Sequence, residues 1–380
     1  MKIKVLTFFN NANIGSELQA YAMKEYLISA GYTNVTFVKR GYYGKLRKGI
    51  ALIGRKIKTL FLDKDMRALS SAKQDYSKKH AVISTATKEK ISKFSRNYLK
   101  SELCTVASMK KQNDSIFLCG SDQIWSPLIY PVAKENFLAP INRSNKIAYA
   151  PSFGINHLPT SFKQAVRQFV CDFDFIAMRE GEAAKIVSEM SGREIQTVVD
   201  PVFLINESSW YELSERSQID IQEAYVFCYF LDEPDLGAKK NIKDIVSDRK
   251  LVYICYEQYF KEFENSTFYD VDPADFLRLI RNSDMVITDS FHATAFSIIF
   301  EKGLKIYSRN QPKELHQDGR IRSLLKCLDI PLEIDNFDES ECKIEYPKAK
   351  QKLFDLSEKS RTFLLSSLQK IGEKGGTDVS

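Results

Sequence analysis

The chain has 380 residues, 44% hydrophobic and 27% charged, with a net charge of +6, an ordinary globular composition. That length excludes a disulfide-stapled mini-fold and fits two domains of roughly 150 to 200 residues, each burying its own core. No apolar run reaches the roughly 18 residues of a membrane span, and Met1-Lys2-Ile3-Lys4 leads into a strand-like segment rather than a signal-peptide core. A cytoplasmic protein is the expectation.

In the first half, short apolar runs alternate with amphipathic stretches of helical length. Strands are expected at Lys2 to Phe9, Asn34 to Lys39, Ser115 to Cys119, Lys146 to Ala150, Asp174 to Met178 and Gln196 to Val199, with helices over Leu18 to Ser29, Ser161 to Val170 and Glu182 to Met190. After Asp200-Pro201 and the polar Asn206-Glu207-Ser208-Ser209, the pattern restarts. Strands are expected at Ala224 to Phe230, Leu251 to Cys255, Asp284 to Thr288 and Leu304 to Tyr307, and helices at Pro273 to Arg281 and Ala293 to Glu301. Strands separated by helices imply βαβ units and mostly parallel sheets. The fold class is therefore α/β with two Rossmann-like domains facing a cleft: 1–205, an N-terminal domain on the acceptor side; 206–345, a C-terminal domain; and 346–380, a helix over Lys348 to Ile371 with a tail from Gly372 expected to fray.

The seven cysteines are odd in number, widely spread and without a Cys-x-x-Cys pair, and read as buried thiols. None of the four histidines is spaced with a cysteine or another histidine as a zinc or haem site requires, so a protein-bound transition metal is not expected. Residues 39–67 carry ten Lys/Arg and two Asp, leaving the remainder of the chain near neutral. Within them, Ile50, Ile53, Ile57 and Leu60 recur as one helical stripe beside Arg55, Lys56 and Lys58, the pattern of an interfacial helix on an anionic membrane rather than of nucleic-acid binding. A solvated basic loop, or a stripe packed on the protein's own core, is the alternative.

Open parallel sheets place ligands at the carboxyl ends of their strands. There, Asn13, Gly15 and Ser16 form a tight loop before a helix whose free N–H groups suit an anion or a sugar hydroxyl. Ser121 and Asp122, with Trp125 behind them, combine hydroxyl, carboxylate and aromatic ring as sugar recognition does. Arg179 leaves a buried strand directly and can bind carboxylate or phosphate through a bidentate fork, or pair with Glu180. His292 sits in a helix's first turn close to Asp289, opposing influences that would let it titrate near neutrality as an acid or base. Asp289, Ser290 and His292 are too close in sequence for a hydrolase triad, and no Gly-x-Ser-x-Gly elbow exists. Arg320 and Arg322 are candidate anion clamps.

Taken in order, Asn13-Ile-Gly-Ser-Glu-Leu-Gln-Ala-Tyr-Ala, Gly120-Ser-Asp-Gln-Ile-Trp, Ala150-Pro-Ser-Phe-Gly, Met178-Arg-Glu, Asp200-Pro-Val-Phe-Leu, Thr288-Asp-Ser-Phe-His and Arg320-Ile-Arg-Ser-Leu-Leu resemble the polysaccharide pyruvyl transferase family over about residues 3 to 330. The resemblance implies a fold like that of GT-B glycosyltransferases. It also implies transfer of pyruvate from phosphoenolpyruvate, the donor substrate, onto sugar hydroxyls of a surface-polysaccharide or lipid-linked precursor. By that resemblance His292 corresponds to the family's helix-start His and Arg179 to its anion-binding Arg; the site then expected from the residues has His292 as acid/base, Asp122 orienting the acceptor, Arg179 and Ser290 with Arg320 or Arg322 on the donor, and Asn13, Gly15, Ser16, Ser121 and Trp125 on the acceptor, with neither metal nor cofactor required. Many relatives carry Arg where this chain has Ser290, and Gly where it has Ala293, a loss for which Arg320 or Arg322 would compensate. A nucleotide-sugar glycosyltransferase and a noncatalytic glycan-binding relative remain the other readings.

Overall fold

A computed structural model describes residues 1–40, 64–77, 82–104, 106–112, 114–128, 134–141, 145–312, 315–336 and 344–377. Seven strands form the first sheet: β1 (Lys2–Leu6), β2 (Val35–Arg40), β3 (Ser101–Cys104), β4 (Ser115–Cys119), β5 (Lys146–Tyr149), β6 (Phe175–Met178) and β7 (Gln196–Thr197), in the order β3-β2-β1-β4-β5-β6-β7. Five more form the second: β8 (Tyr225–Tyr229), β9 (Lys250–Ile254), β10 (Ser266–Tyr269), β11 (Met285–Thr288) and β12 (Gly303–Ile306), in the order β10-β9-β8-β11-β12. Every pairing is parallel, with registers such as Ile3 opposite Val35 and Val286 opposite Phe227. Strands β4 and β8 are buried along their whole length, as central strands covered by helices on both faces must be.

Strand order reverses between β1 and β4 in the first sheet and between β8 and β11 in the second. Crossovers to either side of such a point run in opposite directions and leave a crevice beyond the strand ends. Both crevices open toward the same interdomain cleft, which makes the molecule a pair of Rossmann-like units of the GT-B kind.

Helix Tyr346–Thr377 follows the second sheet in sequence yet returns to the first domain. Ser360 Oγ accepts from Val199 N at 2.9 Å, Arg361 donates to Leu204 O at 3.0 and 2.9 Å, and Phe363 packs near Tyr149. The segment 198–204 is thereby held from behind. This helix runs on to Thr377 rather than ending near Ile371, and helix Ile14–Ser29 begins four residues before the expected Leu18 because Asn13 caps it. Cys119, Cys228 and Cys255 are buried thiols, whereas Cys171 and Cys327 are exposed, contrary to expectation. Residues 41–63, including Ile50, Ile53, Arg55, Lys56, Ile57, Lys58 and Leu60, lie outside the described residues. No described helix is long and apolar enough to cross a membrane.

Candidate functional site

The first domain contributes four strand ends. After β1, the Asn13 side chain accepts from Ser16 N at 3.1 Å, which starts the helix and aims the Ser16 hydroxyl at Asp122 Oδ2, 2.8 Å away. After β4, Gly120 turns at φ +115, where a Cβ would lie 2.0 Å from Tyr149 O, so only glycine fits. Ser121 and Asp122 follow, both buried. Arg179 leaves β6 and donates from Nε to Glu180 at 3.1 Å and from Nη1 to Asp200 Oδ2 at 2.6 Å. Beyond β7, Asp200 also accepts from Ser121 Oγ at 2.9 Å, while its second oxygen accepts from Val202 N and caps the short turn Pro201–Phe203.

From the second domain come the start of helix Phe291–Ile299 and that of helix Gly319–Cys327. Ser290 caps the first of these, so His292 stands in its opening turn with Nε2 3.9 Å from Asp200. The other edge of the imidazole lies on Gly15: a Cβ there would be 2.1 Å from His292 Nδ1. Arg179 and Arg320 both lie over the Phe291 ring, at 4.5 and 5.9 Å from its centre, and each has a nitrogen 4.0 Å from Asp122 Oδ1. With its amide oxygen turned toward Arg320, Gln123 accepts from both terminal nitrogens, at 3.1 and 2.6 Å. A pocket of about 40 Å³ adjoins the two arginines and is walled by Leu324, Leu328, Leu353 and Leu356.

Three buried polar atoms in this cluster make no hydrogen bond: Arg179 Nη2, Arg320 Nε and His292 Nε2. A buried donor left unpaired costs roughly 1–3 kcal/mol, more when charged, so three together mark a place built to meet a ligand. Burial lowers the His292 pKa from its ordinary 6.5; Asp200 and Asp122 oppose that shift, and Arg179 and Arg320 add to it. The imidazole is therefore neutral at pH 7. For Arg179, burial works against the charge but is outweighed by Glu180, Asp200 and Asp122, so its pKa rises. Burial next to Arg179 and Arg309 pushes Arg320 down to about 9, a sign of positive potential that Asp122 and Glu180 offset only in part. Burial alone would raise the Asp122 carboxyl, yet His292, Arg179, Arg320 and the Ser16 hydroxyl bring it below the usual range.

The cluster thus joins Ser16, Ser121, Asp122, Arg179, His292 and Arg320, with the backbone of Gly15 against the imidazole. Asn13 and Ser290 stand at its edge with their side chains engaged as helix caps. Trp125 lies elsewhere: it is fully buried, stacks on Phe137 at 5.1 Å and donates to Asn136 O at 3.1 Å. Arg322, two residues past Arg320 and hence on the opposite side of the helix, is exposed and paired with Asp318 at 2.7 Å. Asp289 is also elsewhere. Its oxygens accept from Leu231 N and Asp232 N at 2.8 and 3.0 Å, tying β11 to β8, and the carboxylates that bear on His292 are Asp200 and Asp122. Asp200 and Phe291 join the site without any role expected from the sequence, although Asp200-Pro-Val-Phe-Leu and Thr288-Asp-Ser-Phe-His each follow a strand, the one local signal that points to them.

Two parallel α/β units with convergent strand-end polar groups define a two-domain enzyme of the GT-B kind. The sequence matches the polysaccharide pyruvyl transferase family over residues 13–303, and the chain belongs to that family, as a glycan-modifying transferase. Among solved structures, a putative UDP-N-acetylglucosamine 2-epimerase from Listeria monocytogenes is similar with a TM-score of 0.50 and 12% identity, over 96% of this chain and 90% of that one. The N-terminal domain of trehalose-6-phosphate phosphatase from Candida albicans is similar with a TM-score of 0.48 and 9% identity, over 97% of this chain and 98% of that one. Likeness at this identity speaks of fold alone. No curated protein matches the chain significantly.

Proposed function

We propose that the protein transfers pyruvate from phosphoenolpyruvate to two hydroxyls of a sugar, forming a cyclic ketal and releasing phosphate. The observation that carries this reading is the meeting of two buried guanidinium groups and an imidazole, each with an unpartnered nitrogen, in a member of this family. Phosphoenolpyruvate offers a carboxylate and a phosphate, the two groups an arginine fork binds best. In the proposed sequence His292 takes up a proton as the anionic donor enters beside it, then delivers that proton to C3. The cation left at C2 is attacked by one sugar hydroxyl, whose proton passes to a base; phosphate leaves with the C2–O bond pair, and a second hydroxyl closes the ketal and loses its proton. Arg179 and Arg320 hold the donor, and Asp122, steadied by Ser16, orients the acceptor.

The acceptor we assign is a surface-polysaccharide or lipid-linked precursor presented at the inner membrane face, with the basic segment 39–67 as the docking element. Phosphate release from phosphoenolpyruvate, measured with and without lipid-linked acceptors, tests the reaction. His292→Gln should lower turnover by roughly 10² or more, the usual scale for general acid–base catalysis. Absence of acceptor-dependent release, or turnover of a nucleotide sugar instead, overturns the proposal.

A further inference from the structure

Asp200 occupies a position that neither the donor nor the acceptor role explains. Its side chain is completely buried, and one oxygen gathers Arg179 Nη1 at 2.6 Å and Ser121 Oγ at 2.9 Å while facing His292 Nε2 at 3.9 Å. Those three partners come from the ends of β6, β4 and β11, so a single carboxylate links the arginine fork, the acceptor loop and the second domain. The backbone beneath it is unusually well held. Val199 N donates to Ser360, Trp210 donates to Val202 O at 3.0 Å, and Arg361 donates twice to Leu204 O. A group on such a base is held in place, which is what orienting another residue requires.

Charge count strengthens the point. Asp122, Glu180 and Asp200 are the acids gathered on Arg179 and Arg320, so removing the charge of any one of them alters the field at His292. The groups facing the imidazole are Asp200 and Asp122 from the first domain's loops, Arg179 from the end of β6 and Arg320 from helix Gly319–Cys327, whereas Gly15 presents only backbone. Of the two acids, Asp122 already accepts from Ser16, and the contact recorded with His292 Nε2 is with Asp200.

We infer that Asp200 is a positioning residue, which aims the Arg179 fork and holds a proton on the Nε2 edge of His292. It acts through those two side chains and does not touch the reacting atoms. The inference rests on the role proposed for His292, and the measurements separate the two. The His292 titration midpoint is read by NMR on the folded, full-length protein, alongside the pH profile of kcat/KM for phosphoenolpyruvate.

Asp200→Asn keeps the shape and the turn cap but removes the charge. A carboxylate about 4 Å from an imidazole favours its charged form by about one pH unit or more, so the midpoint should fall by that amount and the acid limb of the profile should move with it. The half-saturating donor concentration should rise several-fold as the fork loosens. A folded Asp200→Asn protein with an unmoved midpoint and unchanged half-saturation overturns the inference. Should that variant fail to fold, Ser121→Ala gives the same readout with opposite sign: with one fewer donor on Asp200, the midpoint should rise, and no movement overturns the inference equally. If instead His292→Gln turns over normally, it is the acid/base assignment that fails, whatever Asp200 does to the titration.

Discussion

Gly15→Ala adds one methyl group at the seam between the domains. The new Cβ would lie 2.1 Å from His292 Nδ1, 2.5 Å from Cγ and 2.9 Å from Cβ, and the ring cannot rotate away because all three atoms crowd the same point. Relief requires the imidazole, with the start of its helix, to withdraw by about 1 Å; displacements of that size near reacting groups cost about 10²-fold in rate. Overpacking of this kind also costs typically 1–3 kcal/mol. The opposing effect is intrinsic helix propensity, which favours Ala over Gly by about 1 kcal/mol in a helix interior and by less near an end. Contact and propensity therefore predict opposite signs. Thermal unfolding and steady-state phosphate release on the purified variant decide between them. The expected outcome is a lower melting temperature and a kcat/KM reduced about 10²-fold, with secondary structure retained. A variant that melts higher than wild type and turns over normally would refute the packing of His292 on Gly15 and, with it, the closed geometry of the site.

Arg179→Lys keeps the charge but loses the fork shared by Glu180 and Asp200, so the donor concentration for half-saturation should rise by a factor on the order of ten; an unchanged value would make Arg179 purely structural. Glu17 is fully buried, accepting from Asn10 N and Ser95 Oγ, and burial raises its pKa from 4.5 to about 7. Its contribution to stability is complete below pH 4.5 and is lost as pH rises through 7, a change on the order of 3 kcal/mol. Glu17→Gln should therefore unfold at higher urea than wild type at pH 8 but not at pH 4.5, and parallel stability curves would contradict this. For segment 39–67, co-sedimentation with anionic but not neutral vesicles is expected, weakened by salt and abolished when Arg55, Lys56 and Lys58 become Glu; wild type remaining in the supernatant at low salt would exclude docking.

Much of the architecture was legible because central parallel strands are buried on both faces and leave continuous apolar runs. Ser115–Cys119 was read to the residue, and the other central strands to within a few residues. The strands that escaped, β3 (Ser101–Cys104) and β10 (Ser266–Tyr269), lie at sheet edges, where half-exposed residues need no such run. Helix Thr85–Tyr98 escaped because two of its four buried positions, Thr87 and Ser95, are polar. Local sequence also placed Ser121, Asp122, Arg179 and His292 at strand ends, since that depends only on where an apolar run stops.

Which of those strand ends meet is a different kind of information. Arg320 turns inward and Arg322 outward because a helix separates neighbours two apart, and the side that faces the cleft is chosen by what packs on the helix. Asp289 is three residues from His292 in sequence but spends its oxygens on β8, while Asp200, 92 positions away, supplies the carboxylate beside the imidazole. Short-range pattern determines whether a segment is strand or helix and which face is apolar. The pairing of Asp200 with His292, and of Gly15 with that same ring, exists only once the strand ends of the two sheets face each other, and no local signal encodes it.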